Sequence, residues 1–367
     1  MAEQPPVRVL ILGASYGSLL ATKLLMAGHS VTLVCTPSTA ELINREGTVV
    51  RFPIRGREGL VEIRSGGLPG ALRAVAPGDA DPTAFDLVVL GMQEPQYGAD
   101  GVRQLMARVA AARVPCLAIM NMPPLAYLRR IAALDAPALA GCYADATVWD
   151  AFDPAAVTLA SPDPQAFRPP DEGKNVLQVG LPTNFKAARF TADAPTALLR
   201  RLEAGVDAAR FAPPGGPPLE IPTKLRVSDS LFVPLAKWPM LLTGNYRCAT
   251  AGGMVSIRDA VHGDADLSRA VYEWVVSVCV KLGAAREDLV PFEKYAAAAE
   301  GLLKPSSAAR ALFGGATAIE RVDKLVAAAA AQLGERNAVV DGVVALVDAQ
   351  LAANRAAAGG GGGGGEA

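Results

Sequence analysis

At the junction between an apolar run and an amphipathic one, the chain reads Gly13-Ala14-Ser15-Tyr16-Gly17-Ser18. Small residues at such a junction suit one kind of chemistry. Backbone N–H groups at a helix N-terminus bind the diphosphate of a dinucleotide, and glycines let the phosphate approach the chain. The familiar spacing is G-x-G-x-x-G. Here glycine fills the first and fifth places, and Ser15 fills the third. Counted back from Gly28, Gly17 falls where the last glycine of that motif stands, so the turn reads as one residue short with its helix in register. Ser15 and Ser18 can each add a hydroxyl donor to a phosphate. A ligand-free strand–turn–helix has the same outline. The flanking strand and helix, and the closing Ala27-Gly28-His29, tip the reading toward nucleotide binding.

A site for NAD usually has an Asp or Glu after the second strand, on the ribose hydroxyls. This chain has Cys35-Thr36-Pro37-Ser38-Thr39 there. No acid would repel a 2′-phosphate, and Thr36, Ser38 and Thr39 could hydrogen-bond one. NADP(H) is therefore favoured, with NAD(H) left open. No arginine stands at the strand end; Arg45, about two turns into the next helix, is a distant candidate. Only two histidines occur, His29 and His262, so proton transfer falls to Lys, Glu or Asp. The five cysteines, Cys35, Cys116, Cys142, Cys248 and Cys279, are dispersed and form no C-x-x-C pair, which argues against a disulfide framework and a structural zinc site.

These residues need elements to position them. Val7–Leu12 predicts a buried strand, Ser18–Ala27 a helix ended by Gly28, and Val31–Cys35 a second strand. Val49–Ile54 and Leu60–Ser65 predict two short strands joined by a turn rich in glycine and arginine. Phe85–Met92 predicts another buried strand, Val102–Ala112 a helix, and Val114–Asn121 a strand that ends at a candidate site, since strand C-termini in such sheets face the ligand crevice. The fold class expected is α/β: an N-terminal Rossmann-like, doubly wound parallel sheet, then a mainly α-helical C-terminal domain. The composition predicts a dinucleotide-binding domain over 1–150, a Pro-rich β connection over 151–222, a helical substrate domain over 223–350, and a disordered Gly-rich tail over 351–367.

The chain as a whole now resembles the ketopantoate reductase (2-dehydropantoate 2-reductase) family over most of residues 7–335. The pieces fall in family order: ILGASYGSLLATKLLMAGHSVTLV, DLVVLGMQEPQ, AIMNMPP, SDSLFVPLAKWPMLLTGN and KPSSAARALFGGATAIERVD. The resemblance implies reduction of a 2-oxo acid, with 2-dehydropantoate as one candidate, to the 2-hydroxy acid with hydride from NADPH. It implies that Lys237 is catalytic, stabilising and protonating the ketone oxygen. It also implies that Asn121 touches cofactor and substrate, that Asn245 orients the substrate from two turns beyond Lys237, and that Ser306 binds the substrate carboxylate. Gln93, where the family has a lysine, and Ala146 would lie near the cofactor, with Gly13, Ala14, Ser15, Tyr16, Gly17 and Ser18 around the diphosphate. Blander roles exist: Ser306 as a helix cap, Asn245 as a surface position, and Glu320 as part of a charged helix face with Arg321, Asp323 and Lys324.

The sequence departs from the family pattern at several places. Leu241 stands where the family has a substrate asparagine, Met122 follows Asn121 in place of glycine, and the gapless alignment puts Ala318 at the family's glutamate, with Glu320 two residues on. Pro239 places a helix start just after Lys237. Two alternatives stay open: a diverged relative acting on another carbonyl or imine, and a non-catalytic NADP-binding regulatory protein. A net charge of −1 without a basic cluster argues against nucleic acid, and no run of roughly 20 apolar residues suggests a membrane helix. The partners expected are a small carbonyl acid and, with less to support it, a second copy in a homodimer. A cytoplasmic location is expected, because the start lacks a basic n-region.

Overall fold

A computed structural model describes residues 5–360. The described residues divide into two compact units, the chain up to 92 with 96–130 and 147–229 in the first, and 93–95, 131–146 and the chain from 230 on in the second.

The first unit begins β1 (Arg8–Leu12), α1 (Gly17–Met26), β2 (Ser30–Val34), α2 (Pro37–Glu46), β3 (Val49–Pro53), β4 (Leu60–Arg64), β5 (Leu72–Val75), β6 (Leu87–Leu90), α3 (Val102–Ala112), β7 (Cys116–Ile119) and α4 (Leu125–Leu128). It continues with β8 (Val157–Ser161), β9 (Gln165–Phe167), β10 (Val176–Leu181), β11 (Phe185–Ala188), α5 (Asp193–Ala208) and β12 (Leu225–Ser228). Eight strands form one sheet in the order β12-β11-β8-β7-β6-β1-β2-β5. Every pairing in it is parallel except β11 with β8. Strands β1, β6 and β7 are almost wholly buried, as their apolar runs require of strands covered on both faces. A second sheet, β4-β3-β10-β9, joins a hairpin from early in the chain to strands from the Pro-rich segment, with Val49 registered on Val176.

The chain winds from β1 through β2 to β5 on one side, then returns to place β6 on the other side of β1. The β1–β6 boundary is thus the topological switch point, where open α/β sheets bind ligands beyond the strands' carboxyl ends. α1 is buried along its whole length. Its Lys23, 1% exposed, donates Nζ to the carbonyls of Ile221 (2.6 Å) and Pro222 (3.2 Å), and burial pulls its pKa down to about 7.

Two expectations from composition are corrected. The segment 151–222 is no separate connection: β8 and β11 hydrogen-bond into the main sheet, and α5 packs on α1 and β12. Its prolines fall in the turns between these elements or, like Pro195, in the first turn of α5, where a missing N–H costs nothing. The tail is also shorter than expected. A helix continues to Gly360, and the rest of the Gly-rich run, 361–367, lies outside the described residues.

The second unit carries α6 (Trp238–Met240), the short strands β13 (Ala249–Thr250) and β14 (Gly253–Met254), and the helices α7 (Ile257–His262), α8 (Ala265–Lys281), α9 (Phe292–Ala299), α10 (Ser307–Phe313), α11 (Val322–Gln332) and α12 (Ala338–Gly360). Among the described residues, no helix is long and apolar enough to cross a membrane.

Candidate functional site

At the switch point the chain turns sharply after β1. Gly13 has φ +101°, a region that side chains with a Cβ rarely enter, and a Cβ there would stand 2.7 Å from Met92 Cγ and 2.9 Å from the Gly91 carbonyl oxygen. The turn is closed by Gly13 N–H donating to Val34 O (3.0 Å) and Gly91 N–H to Leu12 O (2.9 Å). Gly17 does what the last glycine of a dinucleotide fingerprint does. A Cβ on it would meet Ile11 Cγ2 at 2.7 Å, so its absence lets α1 sit directly on β1. The missing residue has shortened the turn without moving the helix off its strand.

The side chains of this turn mostly face inward. Ser18 donates its hydroxyl to Ser15 O (2.8 Å), and Tyr16 donates its own to Pro164 O (2.7 Å) with its ring edge-on to Phe185 at 5.9 Å. Both hydroxyls donate within the chain. What the turn offers an anion is backbone. Among the described residues no backbone carbonyl takes the amides of Ala14, Ser15 and Tyr16, and the first turn of α1 has no acidic residue. Half-buried Asn121 follows β7, two strands from β1 on the same carboxyl edge. Met122 is fully buried, so the residue that replaces glycine there is a core side chain. Arg45 is exposed and paired with Glu46 at 2.7 Å.

In the second unit, Lys237 lies in a run of helical turns that changes type three times. A 3₁₀ turn spans Pro234–Lys237, α6 follows, a π turn spans Leu241–Asn245, and another 3₁₀ turn spans Tyr246–Cys248. Pro239 has no N–H to give, so a regular ladder cannot pass it. Lys237 is half-buried and is the residue on which α6 starts, as Pro239 led one to expect. The expected two even turns from Lys237 to Asn245 are replaced by this mixed winding, so a spacing of 3.6 residues per turn does not relate the two side chains. The π turn frees the Met240 carbonyl, which accepts the Tyr295 hydroxyl at 3.1 Å; Gly244 makes room, since a Cβ there would lie 2.0 Å from the Tyr295 oxygen. Leu241 is buried.

Ser306, 2% exposed, caps α10: its Oγ accepts Ala309 N–H (3.1 Å) and donates to Asn245 O (2.6 Å). Its proton is committed to that carbonyl. This is the capping role, with half-buried Asn245 held by the same bond.

Sequence reasoning missed a buried acid. Gln93 is exposed, but its neighbour Glu94 is 2% exposed. The Glu94 carboxylate accepts Ala144 N–H at 3.1 and 3.2 Å, and Glu94 N–H donates to Glu320 Oε1 at 3.4 Å. Burial, reinforced by the Glu320 charge, lifts the Glu94 carboxyl to about 7 despite the Ala144 bond. Glu320 is itself buried, which overturns its reading as part of a solvated charged face. Arg321 and Asp323 are buried as well and form a forked pair at 2.9 and 3.0 Å, while the Tyr246 hydroxyl donates to Glu320 O and accepts Val322 N–H (3.0 Å). Ala318 is exposed, and half-buried Ala146 begins a short 3₁₀ turn. The signal available for Glu94 was slight: one acid inside the quoted stretch DLVVLGMQEPQ, beside the residue that drew attention.

No family model and no curated protein matches the sequence. Solved structures do. A putative ketopantoate reductase from Ralstonia solanacearum is 14% identical, with a TM-score of 0.66, over 95% of this chain and 99% of that one. A dimeric ketopantoate reductase from Staphylococcus aureus is 12% identical, with a TM-score of 0.61, over 95% and 100%. The fold is that of the ketopantoate reductases. A D-mandelate dehydrogenase solved with NADH shares it, at 14% identity and a TM-score of 0.60 over 94% and 99%. The ketopantoate reductase fold thus carries, in this chain, a glycine turn at its switch point, an asparagine on the same strand edge, and a second unit with a lysine at a helix start and two buried glutamates.

Proposed function

We propose that the protein is an NADP(H)-dependent oxidoreductase of the ketopantoate reductase type, reducing a 2-oxo acid to the 2-hydroxy acid. The observation that carries this reading is the turn at the switch point, where Gly13 permits the sharp bend, Gly17 lets α1 sit on β1, and no backbone carbonyl among the described residues takes the amides of Ala14, Ser15 and Tyr16. The residues present fit the cofactor: an open backbone cradle, a helix N-terminus without acid, and no carboxylate after β2. When bound, the nicotinamide supplies hydride. The chain's own part is electrostatic and positional. The Lys237 ammonium stabilises charge growing on the carbonyl oxygen and delivers its proton, and Asn121 and Asn245 orient the acid. Gln93 and Ala146 stay assigned to the cofactor's surroundings.

A second reading concerns the substrate. Leu241 in place of an amide, and Ser306 committed to a cap, remove two groups that would hold a hydroxylated 2-oxo acid. Each lost hydrogen bond costs about 1–3 kcal/mol, so 2-dehydropantoate becomes one candidate among smaller or more apolar carbonyl acids or imines.

NADPH oxidation over a panel of 2-oxo acids tests both, with Lys237→Ala run alongside. The variant should lose about 10²–10⁴-fold in turnover while NADPH affinity stays within about threefold. Turnover that survives the substitution removes Lys237 from the chemistry. Tight NADPH binding with no substrate turned over would leave the non-catalytic regulatory reading.

A further inference from the structure

A 2′-phosphate needs a cation near the end of β2, and the sequence there supplies none. The structure brings one from elsewhere. Arg168 directly follows β9, in the second sheet of the first unit, where Phe167 is registered on Gln178. The β8–β9 turn is fastened to the glycine turn by the Tyr16–Pro164 hydrogen bond, and Tyr16, Cys35 and Ala166 pack against one core. Arg168 is half-buried and its charge acts on the Cys35 thiol, the first residue after β2.

Among the described residues Arg168 has no hydrogen-bond partner. Its Nε is buried without an acceptor, and among the described residues it enters no ion pair. The neighbouring acids are engaged: Asp163 faces Lys186 at 3.2 Å, and Glu172 is gripped by Arg51 at 2.8 Å. A buried guanidinium donor left unmatched is costly, and a planar fork of donors is the side chain best shaped for phosphate oxygens. Next to Cys35 in the chain stand Thr36, whose hydroxyl donates to Thr39 Oγ1 at 2.9 Å, and the start of α2, whose first turn has no acid.

We infer that Arg168 selects the phosphorylated form of the cofactor, its guanidinium receiving the 2′-phosphate beside Cys35 and Thr36. This rests on the reading that the glycine turn holds a nicotinamide nucleotide. It deepens that reading by moving the choice between NADP(H) and NAD(H) from the strand end to the segment after β9. NAD(H) offers a hydroxyl in place of a dianion, and no acid after β2 would receive it.

The test is affinity of the full-length protein for four probes, NADPH, NADH, 2′,5′-ADP and ADP, by calorimetry, in wild type, Arg168→Ala, Arg168→Lys and Arg168→Glu. The wild type should prefer NADPH and 2′,5′-ADP. Arg168→Ala should weaken those two by about 10–100-fold and leave NADH and ADP within about twofold, as loss of a charge-assisted contact requires. Arg168→Lys, which keeps the charge and the stem, should retain part of the preference, and Arg168→Glu should reverse it. An unchanged preference in Arg168→Ala, with both nucleotides still bound, overturns the assignment to Arg168 and leaves the cofactor reading standing. Wild type that takes up neither NADPH nor NADH overturns the cofactor reading itself.

Discussion

The glycine turn of the first unit and the Lys237 segment of the second are built on opposite principles. The turn is made of main chain: a positive φ at Gly13, close packing at Gly17, and amides of residues whose side chains point away or inward. The Lys237 segment is made of side chains held on an irregular backbone of 3₁₀, α and π turns. A site of amides tolerates many side chains, because every residue except proline carries the same donor. A site of side chains changes with each substitution. This is why the turn keeps its outline although one residue short, whereas Leu241 and Ala318 change the side chains that the second unit presents.

The largest expected effect breaks the first half of that contrast. Gly13→Ala puts a methyl group 2.9 Å from the Gly91 carbonyl oxygen in a backbone conformation that costs on the order of 1–3 kcal/mol for a non-glycine residue. The main chain must move, and the cradle moves with it. NADPH affinity measured by calorimetry should fall about 100-fold, with the folded state weakened by about 2 kcal/mol in denaturant titration. Ser15→Ala and Ser18→Ala should stay within about threefold in affinity, since the Ser18 hydroxyl bonds the turn to itself. If the serine variants lose more than the glycine variant, the turn is a side-chain site and the contrast fails.

The same contrast explains what could be read in the sequence. Strands β1, β6 and β7 were legible because a strand buried on both faces must be continuously apolar, and Gly28 marks where α1 has to end. The pairing of Val49 with Val176 was not, because register between distant segments is set by the folded sheet and leaves no local pattern. Arg168 gave no signal for that reason: its closeness to Cys35 is a product of topology. Glu320, Arg321 and Asp323 read as a solvated face, because charge pattern alone does not tell an exposed row from a buried, paired one. Lys237 was locatable through resemblance and Pro239, but the π turn after it has no sequence rule as firm as the glycine turn's.

Glu94 sharpens the second half. Its carboxyl is raised from 4.5 to about 7 by burial and by Glu320, so the folded state binds its proton more tightly than the unfolded chain does. Stability from this group is fully present below pH 4.5 and is lost as pH rises through about 7. Glu94→Gln, which keeps an acceptor for Ala144 N–H and cannot ionise, should abolish that decline. By denaturant unfolding it should match wild type near the low end of the window and exceed it by on the order of 2 kcal/mol at the high end. NADPH affinity should not move in either case. A wild-type stability flat across the window would mean that Glu94 carries no raised pKa and that the second unit stores no buried proton.

The smallest effect decides what Ser306 is for. As the cap of α10 and the clasp on Asn245 O, its hydroxyl contributes to folding, and Ser306→Ala should cost about 1–2 kcal/mol in denaturant titration. Because its proton is already given to a carbonyl, the KM for whichever 2-oxo acid is turned over should rise only as far as Asn245 shifts, within about threefold. Ser306→Thr, which restores donor and acceptor, should recover most of the stability and all of the KM. A KM raised tenfold or more in Ser306→Ala, with stability unchanged, would show the hydroxyl turning from the cap to the substrate. One side chain of the second unit would then be adaptable in a way the Gly13 turn is not, and the difference between the two regions would lie in freedom to rearrange as much as in what each is built from.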